Sequence, residues 1–501
     1  MSNVIAGPAW IEDRSNDVID AAWVSANAAR TVRTAQDARV FQAEEHGEMR
    51  LRLEQMIGAA REVVMMSSFL FADPNIERAL LDAARRGVRV YLLVASEAKL
   101  AAEVRADDLF GQETVEDHKR LLDALAGWVY VRSAEFFHAK FVLVDPKTQP
   151  RGMLLTANIT KDALTRNHEL GVYLASADVQ ALASLFTWAF WEAAQRELLG
   201  AGSLPPVGAA KRIELPAPVA GIVATAGARR DLRAAVLRLI RAATRTLVLA
   251  IYGISDAEVI EALAERVRKG VSVVLLVRHP RVGMFDTLCT LARAGVRIAG
   301  VSKWLHAKAL LVDGTRAMVM TANCETHGLD DGFEVGVELA GNDAAALGRM
   351  LAAWHSSAVW HFRVDMKVGE LGGMVQVLTG KGYKDVSVEP NGRIHDGTVK
   401  VDSCTKIGTA TRPRPAMVPD GKRYHRIEHS WSVELPMLAR NAKPWLPPKE
   451  KDKPSLVLPF PVFEEGGGRR VFAIQNVEQL EAAQRVMGAF GVNAIVLRSE
   501  R

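Results

Sequence analysis

Apolar residues recur along the first 365 positions in a fixed succession: an amphipathic helical stretch, a glycine, then a continuous run of Val and Leu. In NIERALLDAARRGVRVYLLV (75–94) apolar positions return every three to four residues up to Gly87, after which VRVYLLV reads as a buried strand. EVIEALAERVRKGVSVVLLV (258–277) repeats the pattern 183 residues later without a gap, with Gly270 in the place of Gly87. Upstream of each lies another helix-to-strand passage, AAREVVMMSSFLF (59–71) and AATRTLVLAIYGI (242–254). Further on, FFHAKFVLVD (136–145) matches WLHAKALLVD (304–313), and NHELGVYL (167–174) matches GFEVGVEL (332–339), placing Glu169 over Glu334. The offset falls from 183 to 168 and then to 165, so the first copy carries 15 additional residues around 95–137 and three more after Asp145. Two α/β lobes of one design explain this economically.

Each copy closes with a helical stretch carrying Trp and Leu at helical spacing, DVQALASLFTWAFWEAA (178–194) and DAAALGRMLAAWHSSAVWHF (343–362), a stripe that reads as core. Between the lobes, LLGAGSLPPVGAAKRIELPAPVAG (198–221) holds four prolines and reads as a linker. Beyond 365 the texture changes to short alternating runs such as DVSVEP and TVKVDS, with 11 of the 20 prolines. That is the pattern of small β-rich structure with long connections. At the end, RRVFAI (469–474), a helix predicted from an Asn476 cap to Phe490, and NAIVL (493–497) form a β-α-β unit. The expected organisation is an N-terminal extension (1–40), a first lobe (41–197), a linker (198–221), a second lobe (222–365) and a C-terminal accessory domain (366–501). In the two lobes, mixed β-sheets are flanked by helices.

Composition narrows the class. Of 501 residues, 49% are hydrophobic and 24% charged, enough for several cored domains, and no run of about 18 uncharged apolar residues reads as a membrane span. The start lacks a basic segment followed by an apolar one, and the three cysteines (Cys289, Cys324, Cys404) stand far apart with no CxxC. A reducing, cytoplasmic setting is expected. Charge is uneven: residues 367–501 hold 21 Lys and Arg against 15 Asp and Glu, and the rest 42 against 43. The densest basic stretch of the tail, Arg412, Arg414, Lys422, Arg423 and Arg426 around Tyr424, is the candidate for phosphate contact.

Candidate chemistry concentrates in the repeat. His138-Ala-Lys140-x4-Asp145 and His306-Ala-Lys308-x4-Asp313 are each followed by an asparagine, Asn158 and Asn323, and then 11 residues later by Glu169 and Glu334. On a strand, positions two apart share a face, so each His and Lys is expected to project together. His425-Arg-Ile-Glu428-His429 fits the HxxEH zinc pattern, but its flanks alternate like a strand, which would set the histidines about 13 Å apart. Gly466-Gly-Gly-Arg-Arg470 lacks the Gly-Lys-Ser/Thr of a P-loop, and Cys324 and His327 have no partner pair. Neither a metal nor a cofactor is expected.

The paired HxKxxxxD segments, with their trailing Asn and Glu, resemble the phospholipase D superfamily and its HKD motif over roughly residues 40–365. Where that family has Gly-Ser-x-Asn, this chain has LTAN (155–158) and MTAN (320–323), keeping a hydroxyl at Thr156 and Thr321, candidate substrate contacts. The resemblance implies a metal-independent phosphodiesterase whose lobes face each other about a pseudo-twofold axis. One histidine, with His138 favoured, attacks phosphorus to form a phosphohistidine, and the other protonates the leaving oxygen. Lys140, Lys308, Asn158 and Asn323 would hold the phosphoryl oxygens. Glu169, Glu334, Asp145 and Asp313 are the carboxylates that could fix the histidine tautomers. Both halves of the site lie in one chain, so a monomer suffices, with further association open. Nucleic acid is the favoured substrate, on the basic tail and the expected setting. A phospholipid, cleaved or transferred, is the alternative.

Overall fold

The computed structural model describes residues 9–13, 18–25, 39–43, 47–100, 112–208 and 213–367. Beyond these it describes the strands at 373–379, 382–388, 394–396, 415–417, 423–425, 443–444, 462–465, 469–474 and 495–498. The chain divides into two units, Ala28–Val359 and a second assembled from Met1–Asn27 with Trp360–Arg501.

Both repeats lie in the first unit, and each builds a mixed sheet. The first lobe uses β1 (Val40–Gln42), β2 (Val63–Ser68), β3 (Arg89–Ala95), β4 (Tyr130–Ala134), β5 (Phe141–Val144), β6 (Arg151–Leu155), β7 (Leu170–Tyr173) and β8 (Arg196–Glu197). Their order is β8-β4-β3-β2-β5-β6-β7-β1, with β2, β3 and β4 parallel and β5 to β7 antiparallel. The second lobe uses β9 (Ile222–Ala226), β10 (Arg229–Arg230), β11 (Thr246–Ile251), β12 (Ser272–Arg278), β13 (Arg297–Ser302), β14 (Ala309–Val312), β15 (Arg316–Met320) and β16 (Glu334–Ala340). Its order, β10-β9-β16-β15-β14-β11-β12-β13, repeats the arrangement of the first lobe. The mixed α/β, two-lobed architecture expected from the repeat is the architecture found.

The two crossover helices end at the glycines that the sequence marks as stops. The first crossover helix, Pro74–Arg85, starts on Asp73, whose carboxylate accepts from the amides of Asn75 and Ile76 at 2.9 and 3.1 Å. In Ala257–Arg268 of the second lobe, Asp256 accepts from Glu258 and Val259 at 3.1 and 3.0 Å. Gly87 and Gly270 follow with φ of 89° and 82°, left-handed turns that release the chain into β3 and β12.

The lobes share one hydrophobic core. Phe137, Phe141 and Phe186 of the first lobe join Phe333, Val335 and Trp354 of the second in a single buried cluster. The Phe333 ring meets Phe137 and Phe141 edge-on, at centroid distances of 5.7 and 6.3 Å.

In the second unit, Val18–Ser25 pairs antiparallel with Trp360–Lys367 and with Gly373–Thr379, and the sheet continues through Gly382–Val388 to Ile394–Asp396. Trp23 is fully buried there and packs edge-to-face on Phe362 at 5.1 Å. A second sheet places Ala9–Asp13 between Arg469–Ile474 and Ile495–Arg498. The N-terminal residues thus pair with the tail by long-range contacts that no local pattern announces. The TVKVDS run, the expected helix from Asn476 to Phe490, and Glu428 and His429 lie outside the described residues. No helix among the described residues is long and apolar enough to cross a membrane.

Candidate active site

Each catalytic-type histidine sits just before the strand that follows it, because its backbone is committed to the other lobe. The strand pattern placed His138 and Lys140 within β5, yet that strand begins at Phe141. The amides of His138 and Ala139 instead donate to the Phe333 carbonyl at 3.2 and 2.7 Å. Symmetrically, the amides of His306 and Ala307 donate to the His168 carbonyl at 3.2 and 2.9 Å. Residues 168 and 333 directly precede the two glutamates, so the same contacts deliver each carboxylate to the opposite lobe.

The result is a crossed pair. His138 Nδ1 donates to Glu334 Oε1 at 2.6 Å, and His306 Nδ1 donates to Glu169 Oε1 at 2.7 Å. With Nδ1 protonated, each Nε2 keeps its lone pair for chemistry. Both glutamates are almost wholly buried, at 0% and 2% exposure. Burial alone would raise their carboxyls. The facing histidine, the lysines and a threonine hydroxyl outweigh it and hold both below the usual carboxylate range.

Thr156 Oγ1 donates to Glu169 Oε2 at 2.5 Å, Thr321 Oγ1 donates to Glu334 Oε2, and both threonines are fully buried. Each hydroxyl also accepts a backbone amide, from Leu170 at 2.9 Å and Val335 at 3.0 Å. The expected substrate contact at these two positions is therefore corrected. Their hydroxyls face the glutamates and orient them.

Asp145 and Asp313 likewise do not reach the histidines. Asp145, with φ of 46°, accepts from the amides of Arg61, Glu62 and Val63 at 2.8–2.9 Å. Asp313, with φ of 53°, accepts from the amides of Thr244, Arg245 and Thr246 at 2.8–3.0 Å and from the Thr244 hydroxyl. These donors hold both carboxyls below their ordinary range despite the opposing effect of burial. The aspartates fasten the turn before β2 or β11 to the end of the histidine-bearing segment. This corrects the tautomer-fixing role allowed them by sequence, because a carboxylate saturated by three amides at the far end of a strand has no reach to the cleft.

Lys140 and Lys308 are fully buried. Lys308 Nζ lies 3.1 Å from His306 Nε2 and donates to the His306 carbonyl at 2.7 Å; Lys140 Nζ donates to the His138 carbonyl. Burial lowers Lys308 to about 8, although Glu169, Glu334 and Glu325 pull it upward. Burial also pushes His306 down to about 4 and lowers His138, the lysines adding to both effects and the paired glutamates opposing them. Asn158 and Asn323 each carry a buried Oδ1 without a hydrogen-bond partner.

A cleft opens above the pair, lined by His138, His306, Glu334 and Asn323. Residues not singled out by sequence also line it: Phe69, Tyr252, Lys99, Arg281 and Glu325. Phe69 packs edge-on against His138 and Tyr252 against His306, both at 4.9 Å. Their equivalence was present in the alignment at offset 183, where Phe69 stands over Tyr252. Arg281 lies over the Tyr252 ring at 4.1 Å. Arg412, Arg414, Lys422 and Arg426 of the basic tail lie outside the described residues, and of Arg423 only its strand is described.

Duplicated lobes that exchange glutamates onto each other's histidines, with a lysine beside each, define an enzyme of the phosphodiesterase and phosphotransferase class. Residues 53–191 and 236–350 match the family described as cardiolipin synthase, PLD-like domain, and the chain belongs to the phospholipase D superfamily. Among solved structures, the chain is similar to the phospholipase D family member Nuc from Salmonella typhimurium, at 17% identity and a TM-score of 0.25. That match covers 27% of this chain and 91% of Nuc. It is similar to phosphatidylserine synthase from Haemophilus influenzae at 12% identity, with 68% and 88% covered and a TM-score of 0.45. Polyphosphate kinase from Porphyromonas gingivalis is 15% identical, with 60% and 47% covered and a TM-score of 0.41. No curated protein matches the chain in sequence.

Proposed function

We propose that the chain is a metal-independent phosphodiesterase that works through a phosphohistidine and takes nucleic acid as its substrate. The observation that carries the chemistry is the crossed His–Glu pair. Both Nδ1 atoms are committed to carboxylates, so both Nε2 atoms are available at one cleft. His138, the more exposed of the two, attacks phosphorus through Nε2, and the P–O bond to the leaving group breaks. His306 supplies the proton to the leaving alkoxide, then takes one from water as water displaces His138 from phosphorus. Lys140, Lys308, Asn158 and Asn323 stabilise the charge on the non-bridging oxygens. The boundaries assigned to linker and accessory domain belong to the same reading, with the basic tail as a substrate-binding module.

Lys99 and Arg281 at the cleft supply positive charge that suits a polyanion. The phosphatidyl-transferring alternative rests on the matching family model, which bears the name of a lipid synthase. The discriminating experiment is cleavage of labelled polymer and of phospholipid vesicles across a salt series. A nuclease loses activity steeply with salt and needs no lipid interface. Release of headgroup from vesicles with no polymer cut replaces this reading with the lipid one.

A further inference from the structure

The rims beside the two motifs are built alike and charged oppositely. The Phe136 carbonyl accepts the Phe333 amide at 2.9 Å, and the Trp304 carbonyl accepts the His168 amide at 3.1 Å. Phe136 and Trp304 therefore hold equivalent places, each two residues before its histidine. A short helix of the opposite lobe completes each rim, Thr326–Asp330 beside Phe136 and Lys161–Thr165 beside Trp304. The His327 ring meets Phe136 at 4.5 Å, and the Arg166 guanidinium lies over Trp304 at 3.7 Å. Lys303 also lies over the Trp304 ring, at 4.7 Å. Its counterpart before Phe136 is Glu135, which lines the cleft. Arg166, paired with Asp162 at 2.6 Å, has as its counterpart Asp331, which lies 3.6 Å from His327. Lys161 answers to Thr326. At these positions the Trp304 rim carries three cations against one carboxylate, and the Phe136 rim two carboxylates with one histidine. Lys303, Arg166, Glu135 and Asp331 are all exposed, so these charges meet whatever crosses the rims. Lys99 and Arg281 reach the cleft from one lobe each and leave the inversion in place.

A site made of two like lobes offers a phosphodiester strand two opposite ways across the cleft, and only a difference between the lobes can choose between them. Resting on the nuclease reading, we propose that the Trp304 rim is a subsite for the phosphates next to the scissile one, contacted by Lys303 and Arg166. Glu135 and Asp331 deny the equivalent place to the strand on the other side. A bound strand therefore extends from the cleft in one direction. Each phosphate carries a negative charge, so it is drawn to the cationic rim and repelled at the acidic one. Contacts of this kind fix the position of the polymer without reading its sequence.

The test measures kcat/KM at one mapped bond of a short single strand, as DNA and as RNA, extended by several nucleotides on its 5′ side or on its 3′ side. With the full chain, extension on one side should raise kcat/KM about five- to thirtyfold, the scale of two exposed charge contacts, and extension on the other should add nothing. Lys303→Ala and Arg166→Ala, with thermal midpoints to check folding, should each lose part of this gain, and the double variant should lose it all. The slope of log kcat/KM against log salt should become shallower by about 0.7 for each contact removed. Glu135→Lys combined with Asp331→Lys should let the second side gain as well. Equal gains from both sides, no gain from either, or a gain unmoved in the folded alanine variants overturns the assignment while leaving the nuclease reading intact. A second side still silent in the folded lysine variant overturns the part given to the acidic rim. Failure to cut any polymer, with headgroup released from phospholipid vesicles, overturns both the assignment and the nuclease reading.

Discussion

At the scale of single residues, the sequence singles out the histidines and glutamates that meet at the cleft but not how they are wired. His138, His306, Glu169 and Glu334 follow from spacing; the crossing of glutamates between lobes does not, since it depends on the Phe333 and His168 carbonyls. The threonines were the least readable, because a hydroxyl beside an asparagine looks the same in sequence whether it faces phosphate or a buried carboxylate. Their role is checked by Thr321→Val and Thr321→Ser. The valine removes a hydrogen bond to a buried charge and should lower kcat about ten- to a hundredfold, while serine retains most of it. The pH profile tests the pair itself. Burial depresses both imidazoles, His306 to about 4, so the singly protonated state is populated at acidic pH. The profile of kcat/KM should therefore be a bell lying mainly below the ordinary histidine value of 6.5. Its alkaline side is steepened as Lys308, at about 8, loses its charge. A rate that climbs steadily from pH 5 to 9 contradicts this assignment.

At the scale of elements, the helix stops at Gly87 and Gly270 were legible because they are local, whereas the caps Asp73 and Asp256 emerge only with the structure. The aspartate of each motif was misread because its partners lie 82 to 84 residues away in the first lobe and 67 to 69 in the second. Asp145 ties the turn before β2 to the end of β5, so Asp145→Ala leaves three amides without an acceptor. It should lower unfolding stability by about 2–4 kcal/mol, read from a urea midpoint. The sign with pH is fixed. The folded carboxyl is held below its ordinary value of 3.8, so its contribution is full above that pH and is lost as pH falls toward the folded value. The stability gap between the full chain and Asp145→Asn should accordingly narrow between pH 5 and pH 2. A gap that widens in acid would show that the carboxylate is not the acceptor for these amides.

At the scale of the whole molecule, the repeat announced two lobes, and what it could not announce is that neither is chemically complete. Each histidine takes its carboxylate from the other lobe, across a common core in which Phe333 packs on Phe137 and Phe141. The crossing has a spectroscopic signature. Glu334 raises the His138 pKa, so Glu334→Gln should lower it and leave His306 nearly unmoved, with the reverse for Glu169→Gln, followed by NMR titration of the imidazoles. Most direct for the central claim is cleavage of labelled single- and double-stranded DNA and RNA in excess EDTA by the full chain, His138→Ala and His306→Ala. The two-histidine account predicts cleavage that survives EDTA and disappears in both variants. Cleavage abolished by EDTA, or retained in either variant, would contradict it.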